Sequence, residues 1–156
     1  MRSLKRFYIL LAAIVLLAAS SLPARASGPD DKLFDQQSID ALEARALQAQ
    51  PREQAFLYTQ LIHEMTEFSL RTYAAGDVDK ATTLLKRVQT LTQKLHITIA
   101  DSDKRLKDAE ILLRHTAFRL NEMLHSSSFE DRPLVQDTLA QVNKAESDAM
   151  MHVFNK

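Results

Sequence analysis

The sequence contains no cysteine, only two glycines and only four prolines in 156 residues. Without cysteine there is no disulfide staple, no thiol nucleophile and no attachment point for a c-type haem. A lipid-anchored lipoprotein of the usual bacterial type is excluded for the same reason. The scarcity of glycine removes the Gly-rich phosphate cradle that follows a strand in nucleotide-binding folds. Stability must therefore come from apolar packing, and catalysis lacks its commonest furniture.

The first 26 residues, MRSLKRFYILLAAIVLLAASSLPARA, have the three parts of a secretory signal peptide. Arg2, Lys5 and Arg6 form the basic start, Phe7 to Ala19 an uncharged apolar run, and Ala24-Arg25-Ala26 the small-residue cleavage site before Ser27. Thirteen apolar residues fall short of the roughly 20 needed to span a bilayer, so cleavage without a lasting membrane anchor is expected. The expected destination is the periplasm or the exterior of a bacterial cell. The leader carries four of the 20 Lys and Arg and none of the 20 Asp and Glu, so the remaining 130 residues have a net charge of 16 − 20 = −4. That balance does not favour nucleic acid as a partner.

Residues 27–37, SGPDDKLFDQQ, are poor in apolar groups and read as a flexible lead-in. From there a single helical domain, 38–156, is expected. A first helix, about 38–50, has Ser38 as N-cap and a stripe of Ile39, Leu42, Ala46 and Ala49. Pro51 suits the first position of a second helix, about 51–75, whose Tyr58, Leu61, Ile62, Met65, Phe68 and Tyr73 recur at helical spacing. Gly76 can take the left-handed conformation that ends this helix, and Asp77 caps the next, which predicts an antiparallel hairpin. A last helix, about 131–154, has Pro133 in its first turn and Val135, Leu139, Val142, Ala149 and Val153 on one face.

Between Asp77 and His125 there is neither glycine nor proline. Seven-residue steps give Ala81, Val88, Leu95, Ser102, Ala109, Thr116 and Met123, with the companion series Leu85, Thr92, Ile99, Leu106, Leu113 and Leu120. Ten of these thirteen positions are apolar, and the frame keeps phase across the polar stretch 100–105. Phase continuity predicts one long central helix over 77–125, roughly 73 Å in length, with self-association, such as a homodimer, through its seam. The alternative is a break near Asp101 or Ser102, giving a compact bundle. In either case the fold class is an all-α helical bundle of antiparallel hairpins.

His63-Glu64-Met65-Thr66-Glu67 comes within one residue of H-E-x-x-H, whose two histidines, one turn apart, hold zinc. Glu67 occupies the second ligand position, and no third ligand is identifiable, so His63, Glu64 and Glu67 are expected on the wet face of the second helix. Glu122-x-x-His125 has the spacing of di-iron bundles, which need two such pairs; one pair predicts surface residues. His152, beside Met150 and Met151, raises copper or haem ligation, although the methionines are expected to fill gaps at the end of the core. Asp103, Lys107 and Glu110 have the spacing of solvated helix-surface charges.

In YAAGDVDKATTLL (73–85), Tyr73, Gly76-Asp77 and Ala81 resemble the turn region of a tetratricopeptide hairpin. The resemblance covers 13 residues and no second copy follows at the 34-residue period. It implies a tight helical turn there, not a repeat fold. The L-T-x-x-Q motif of small exported helical chaperones is missing, since LTQKL (91–95) places Gln93 in the wrong position. No catalytic constellation, metal site or cofactor site is assigned. The expected function is a non-catalytic exported protein that binds another protein or itself; the alternative is a metal- or haem-carrying bundle.

Overall fold

The computed structural model describes residues 35–102 and 104–154. The expected leader at 1–26, with Ala24, Ala26 and Ser27, lies outside the described residues, as do Asp103 and most of the lead-in at 27–37. The described residues form five helices and no strand: α1 Gln36–Gln48, α2 Pro51–Ala74, α3 Val78–Ile99, α4 Leu106–Ser126 and α5 Arg132–Phe154. The chain is all-α, as the periodicity predicts.

Helix ends follow the punctuation residues. Pro51 opens α2, Gly76 sits at φ +87°, and the Asp77 carboxylate accepts from the Lys80 amide at 3.2 Å. The Gly76 amide bonds the Tyr73 carbonyl and the Asp77 amide the Thr72 carbonyl, so the orphan carbonyls at the end of α2 are used by the turn itself. Ser69 adds a cross-link from its hydroxyl to the Ala81 carbonyl at 3.0 Å. At α1 the cap differs from expectation. Asp35, not Ser38, is the N-cap, and Ser38 is the N3 partner of a capping box, accepting from the Asp35 amide and donating its own amide to the Asp35 carboxylate. Gln36 and Gln37, assigned to the lead-in, are therefore helical.

The long central helix is the main correction: 77–125 is two helices, α3 and α4, separated at Ala100–Arg105. The Ser102 amide bonds the Ile99 carbonyl at 3.2 Å, and its hydroxyl donates to the Pro51 carbonyl at 3.0 Å. Arg105 then turns the chain in the left-handed region, at φ 60° and ψ 23°, a conformation that costs a side-chain-bearing residue about 1–2 kcal/mol. Its guanidinium lies 3.6 Å from the centroid of the Phe56 ring, which helps hold the turn. All thirteen positions of the seven-residue frame are buried, from Ala81 through Ser102 to Met123 and from Leu85 through Leu106 to Leu120. The preserved phase thus reflects a shared core on both sides of a bend. The seam expected to mediate self-association is consumed inside one chain.

Antiparallel hairpins α2–α3 and α4–α5 lie side by side, with α2 against α4 and α3 against α5. Cross-hairpin partners rise together along the chain: Glu53 with Lys104, His63 with Thr116, and Glu67 with Arg119. The neighbours α2 and α4 are therefore parallel. On the other side Gln89 donates to Thr138 at 3.0 Å and His96 meets Asp148 at 2.7 Å. Tyr73 ties the far end together, donating to Asp131 at 2.9 Å and accepting from the Ser128 amide at 2.8 Å. Buried Thr59, Thr66, Thr92, Thr116 and Thr138 each return their hydroxyl proton to the carbonyl four residues back, so they enter the interfaces without an unmet donor.

The first helix, α1, closes the opposite side of the first hairpin. Gln54 of α2 donates to the Ala46 carbonyl of α1 at 3.1 Å, and Glu43 pairs with Arg87 of α3 at 2.8 Å. Gln54 and His63 are nine residues apart, two and a half turns, so they leave α2 in opposite directions. The order is α1, then α2 with α3, then α4 with α5. Nothing among the described residues covers the last hairpin's outer side.

Candidate functional site

The His63 region lies between helices rather than on the wet face expected for it. Thr116 spends its only proton on the Leu112 carbonyl at 2.8 Å, so at 3.0 Å it accepts from His63 Nδ1–H, which fixes the tautomer of the neutral imidazole. Burial holds the His63 pKa below the usual histidine value by disfavouring the imidazolium, against an opposing pull from Glu67. Glu67 gives both oxygens to Arg119, at 2.6 and 3.1 Å, a bidentate pairing that also draws in Glu122. Hydrogen bonding to these carboxylates, Glu67 first, raises the Arg119 pKa and keeps the guanidinium charged. With its second ligand position engaged by Arg119, this motif joins the two hairpins. Its partners are 52 and 53 residues away in sequence, which is why local spacing alone does not find them.

Glu122 and His125 are exposed, as expected. His152 is exposed and donates from Nδ1 to the Asp148 carbonyl at 2.9 Å. Met150 and Met151 are not core fillers: they are 37% and 52% exposed. Glu110, expected on the surface, is buried beneath Arg114, which also reaches Glu146 of α5 at 3.5 Å. The predicted candidates are thus divided between a structural cross-link and two exposed helix ends. Among the described residues no group of three or more His, Asp or Glu is placed to hold a metal ion.

Two clefts open beside the α2–α4 contact. One, of about 300 Å³, is lined by Phe56, Leu57 and Gln60 with Arg45, Arg105 and the Lys104–Glu53 pair. The other, of about 550 Å³, runs between the ends of α2 and α4 over Leu70, Tyr73 and Met123, with Arg71, Arg119 and Glu122 at its edge. Both mix paired charges with apolar walls.

The outer side of α4 and α5 has a different character. Ile111 and Phe118, seven residues apart on α4, are 42% and 62% exposed, and Met151 and Phe154 of α5 are 52% and 79% exposed. Ile111 and Phe118 each lie two residues beyond a seam position, Ala109 and Thr116, on the heptad line that also holds Ile97, at 76% exposure. Sequence reasoning missed them because only the seam was followed; large apolar residues recurring opposite a seam are the available signal. Among the described residues no helix is long and apolar enough to cross a membrane. Compared with known protein families, curated proteins and solved structures, the chain matches none.

Proposed function

We propose that this is an exported, non-catalytic helical protein that works by binding another protein through the outer side of the α4–α5 hairpin. The supporting observation is the set of large apolar side chains left in water there, Ile111, Phe118, Met151 and Phe154, after the seam is fully used inside the chain. Large exposed apolar groups also occur singly elsewhere, as at Leu47, Ile97 and Phe129; it is their grouping on this hairpin that marks an interaction surface. The titratable candidates do not compete with this reading, because His63, Glu67 and Arg119 are engaged with one another's helices.

The test combines cross-linking in the native envelope fraction with light scattering of the purified protein. A defined cross-linked complex that is lost in Ile111→Ser/Phe118→Ser, with helicity and melting unchanged, supports the reading. A strict monomer that captures nothing, or a complex indifferent to both substitutions, removes it. Export is checked on the same material, where mass spectrometry should find Ser27 as the first residue; an intact Met1 overturns that part.

A further inference from the structure

We infer that the outer side of α4–α5 receives an acidic amphipathic helix, an inference that rests on the binding role proposed above and adds the chemistry of the partner. The basis is an unequal distribution of charge. In a chain with as many acids as bases, the exposed stripe of α4 reads Lys107, Ile111, Arg114, Phe118 and His125, at steps of four, three, four and seven that keep to one helix face. The matching exposed line of α5 carries Gln136, Ala140, Lys144, Ser147 and Met151, at steps of four, four, three and four.

The acids of these two helices are turned elsewhere. Asp108 and Arg119 are eleven residues apart, three turns, and so lie on the side of α4 that meets α2 through Glu67. Asp137 is likewise eleven residues before Asp148, on the side of α5 that meets His96 of α3. Glu110 and Glu146 both meet Arg114 at the α4–α5 contact, and Glu122, at the edge of the stripe, is held by Arg119. What faces outward is apolar, uncharged or basic, with Arg114 balanced by Glu110 and Glu146 and the net positive charge carried by Lys107 and Lys144.

Two further observations select the occupant. The opposite side of the stack is closed by α1, whose outward residues Gln36, Asp40 and Ala44 leave one large exposed apolar side chain, Leu47. The α1 flank thus exposes one large apolar side chain, where the α4–α5 flank exposes Ile111, Phe118, Met151 and Phe154 among its polar residues. A second copy seated on the same side by two-fold symmetry would bring the patch holding Lys107 and Lys144 against the same patch, and like-charge juxtaposition is costly. An amphipathic helix with apolar residues seven apart and glutamates beside them meets both Ile111–Phe118 and the flanking cations.

The experiment titrates the purified protein with three synthetic helical peptides that share one leucine stripe at seven-residue spacing and carry glutamate, glutamine or lysine flanks. Their binding is read by fluorescence anisotropy at low and high salt, beside light scattering of the protein alone. The inference expects the glutamate peptide to bind at least about tenfold more tightly than the lysine peptide, and its affinity to fall as salt rises. Lys107→Glu/Lys144→Glu removes two cations with no ion pair among the described residues, and should reverse that preference without changing the melting temperature. Phe118→Ser should weaken all three peptides. Equal binding of all three, or a preference for lysine flanks, overturns the acidic partner while leaving the binding surface standing. No binding by any peptide, with the native cross-linked complex still lost in Ile111→Ser/Phe118→Ser, also overturns the helical acidic partner alone. No binding together with an indifferent complex removes both readings, and a salt-insensitive homodimer through this side overturns the charge argument.

Discussion

Replacing Arg105 by glycine and by alanine reports the bend between α3 and α4 through the sign of a difference. Both substitutions remove the guanidinium from the Phe56 ring, so that loss, about 0.5–1 kcal/mol for a half-exposed cation, cancels between them. At φ 60° alanine keeps a Cβ in the left-handed region at a cost of about 1–2 kcal/mol, which glycine avoids. Glycine's extra freedom in the unfolded chain returns about 0.5–1 kcal/mol of that. Arg105→Gly should therefore be more stable than Arg105→Ala by about 0.5–1 kcal/mol. A continuous helix through 105 gives the opposite order, with alanine better by about 1 kcal/mol as in any helix interior. Urea denaturation of the two variants at matched slope, supported by melting temperatures that should differ by roughly 2–5 °C, reads the sign. Alanine more stable than glycine refutes the bend.

The remaining expectations concern the contacts between helices. Arg119→Ala leaves the mostly buried Glu67 carboxylate unpaired, so it should cost about 2 kcal/mol. Glu67→Ala leaves a more exposed arginine still paired with Glu122 and should cost under about 1 kcal/mol; denaturant midpoints in which Glu67→Ala is the more damaging contradict this. Leu113→Ala and Leu120→Ala, both at fully buried seam positions, should each cost about 2–5 kcal/mol by the same assay. Because the folded pKa of His63 is lowered, the unfolded chain binds the proton first. Stability contributed by the neutral ring is full above about pH 6.5 and is lost as pH falls below it. His63→Gln, which keeps a donor for Thr116, should flatten that part of a stability-versus-pH curve, and an unchanged slope contradicts the assignment.

The helical class and four of the helix ends were legible because they are set by local chemistry. Pro51, Gly76, Asp77 and Pro133 each act within one turn, and their effects appear where spacing alone places them. The bend was legible only as the alternative to a continuous helix, a break near Asp101 or Ser102, for a physical reason. Ile99 and Leu106 keep a seven-residue spacing and both face the core, so the hydrophobic pattern is the same whether the backbone between them is helical or folded back. The residue that turns the chain is an arginine, not a glycine. The site was hidden differently: Thr116 and Arg119 find His63 and Glu67 only through the side-by-side arrangement of hairpins, which no local pattern encodes. Ile111 and Phe118 were visible as residues, but their exposure depends on which helix faces are covered.

Among the described residues, α1 closes one flank and no helix lies over the other, which gives the stack a direction. Its two flanks differ, so copies meeting through like flanks and copies meeting through opposite flanks would make different kinds of contact. A guest seated on the open flank, as proposed above, would leave the α1 flank untouched, and the stoichiometry expected of it is one guest per chain.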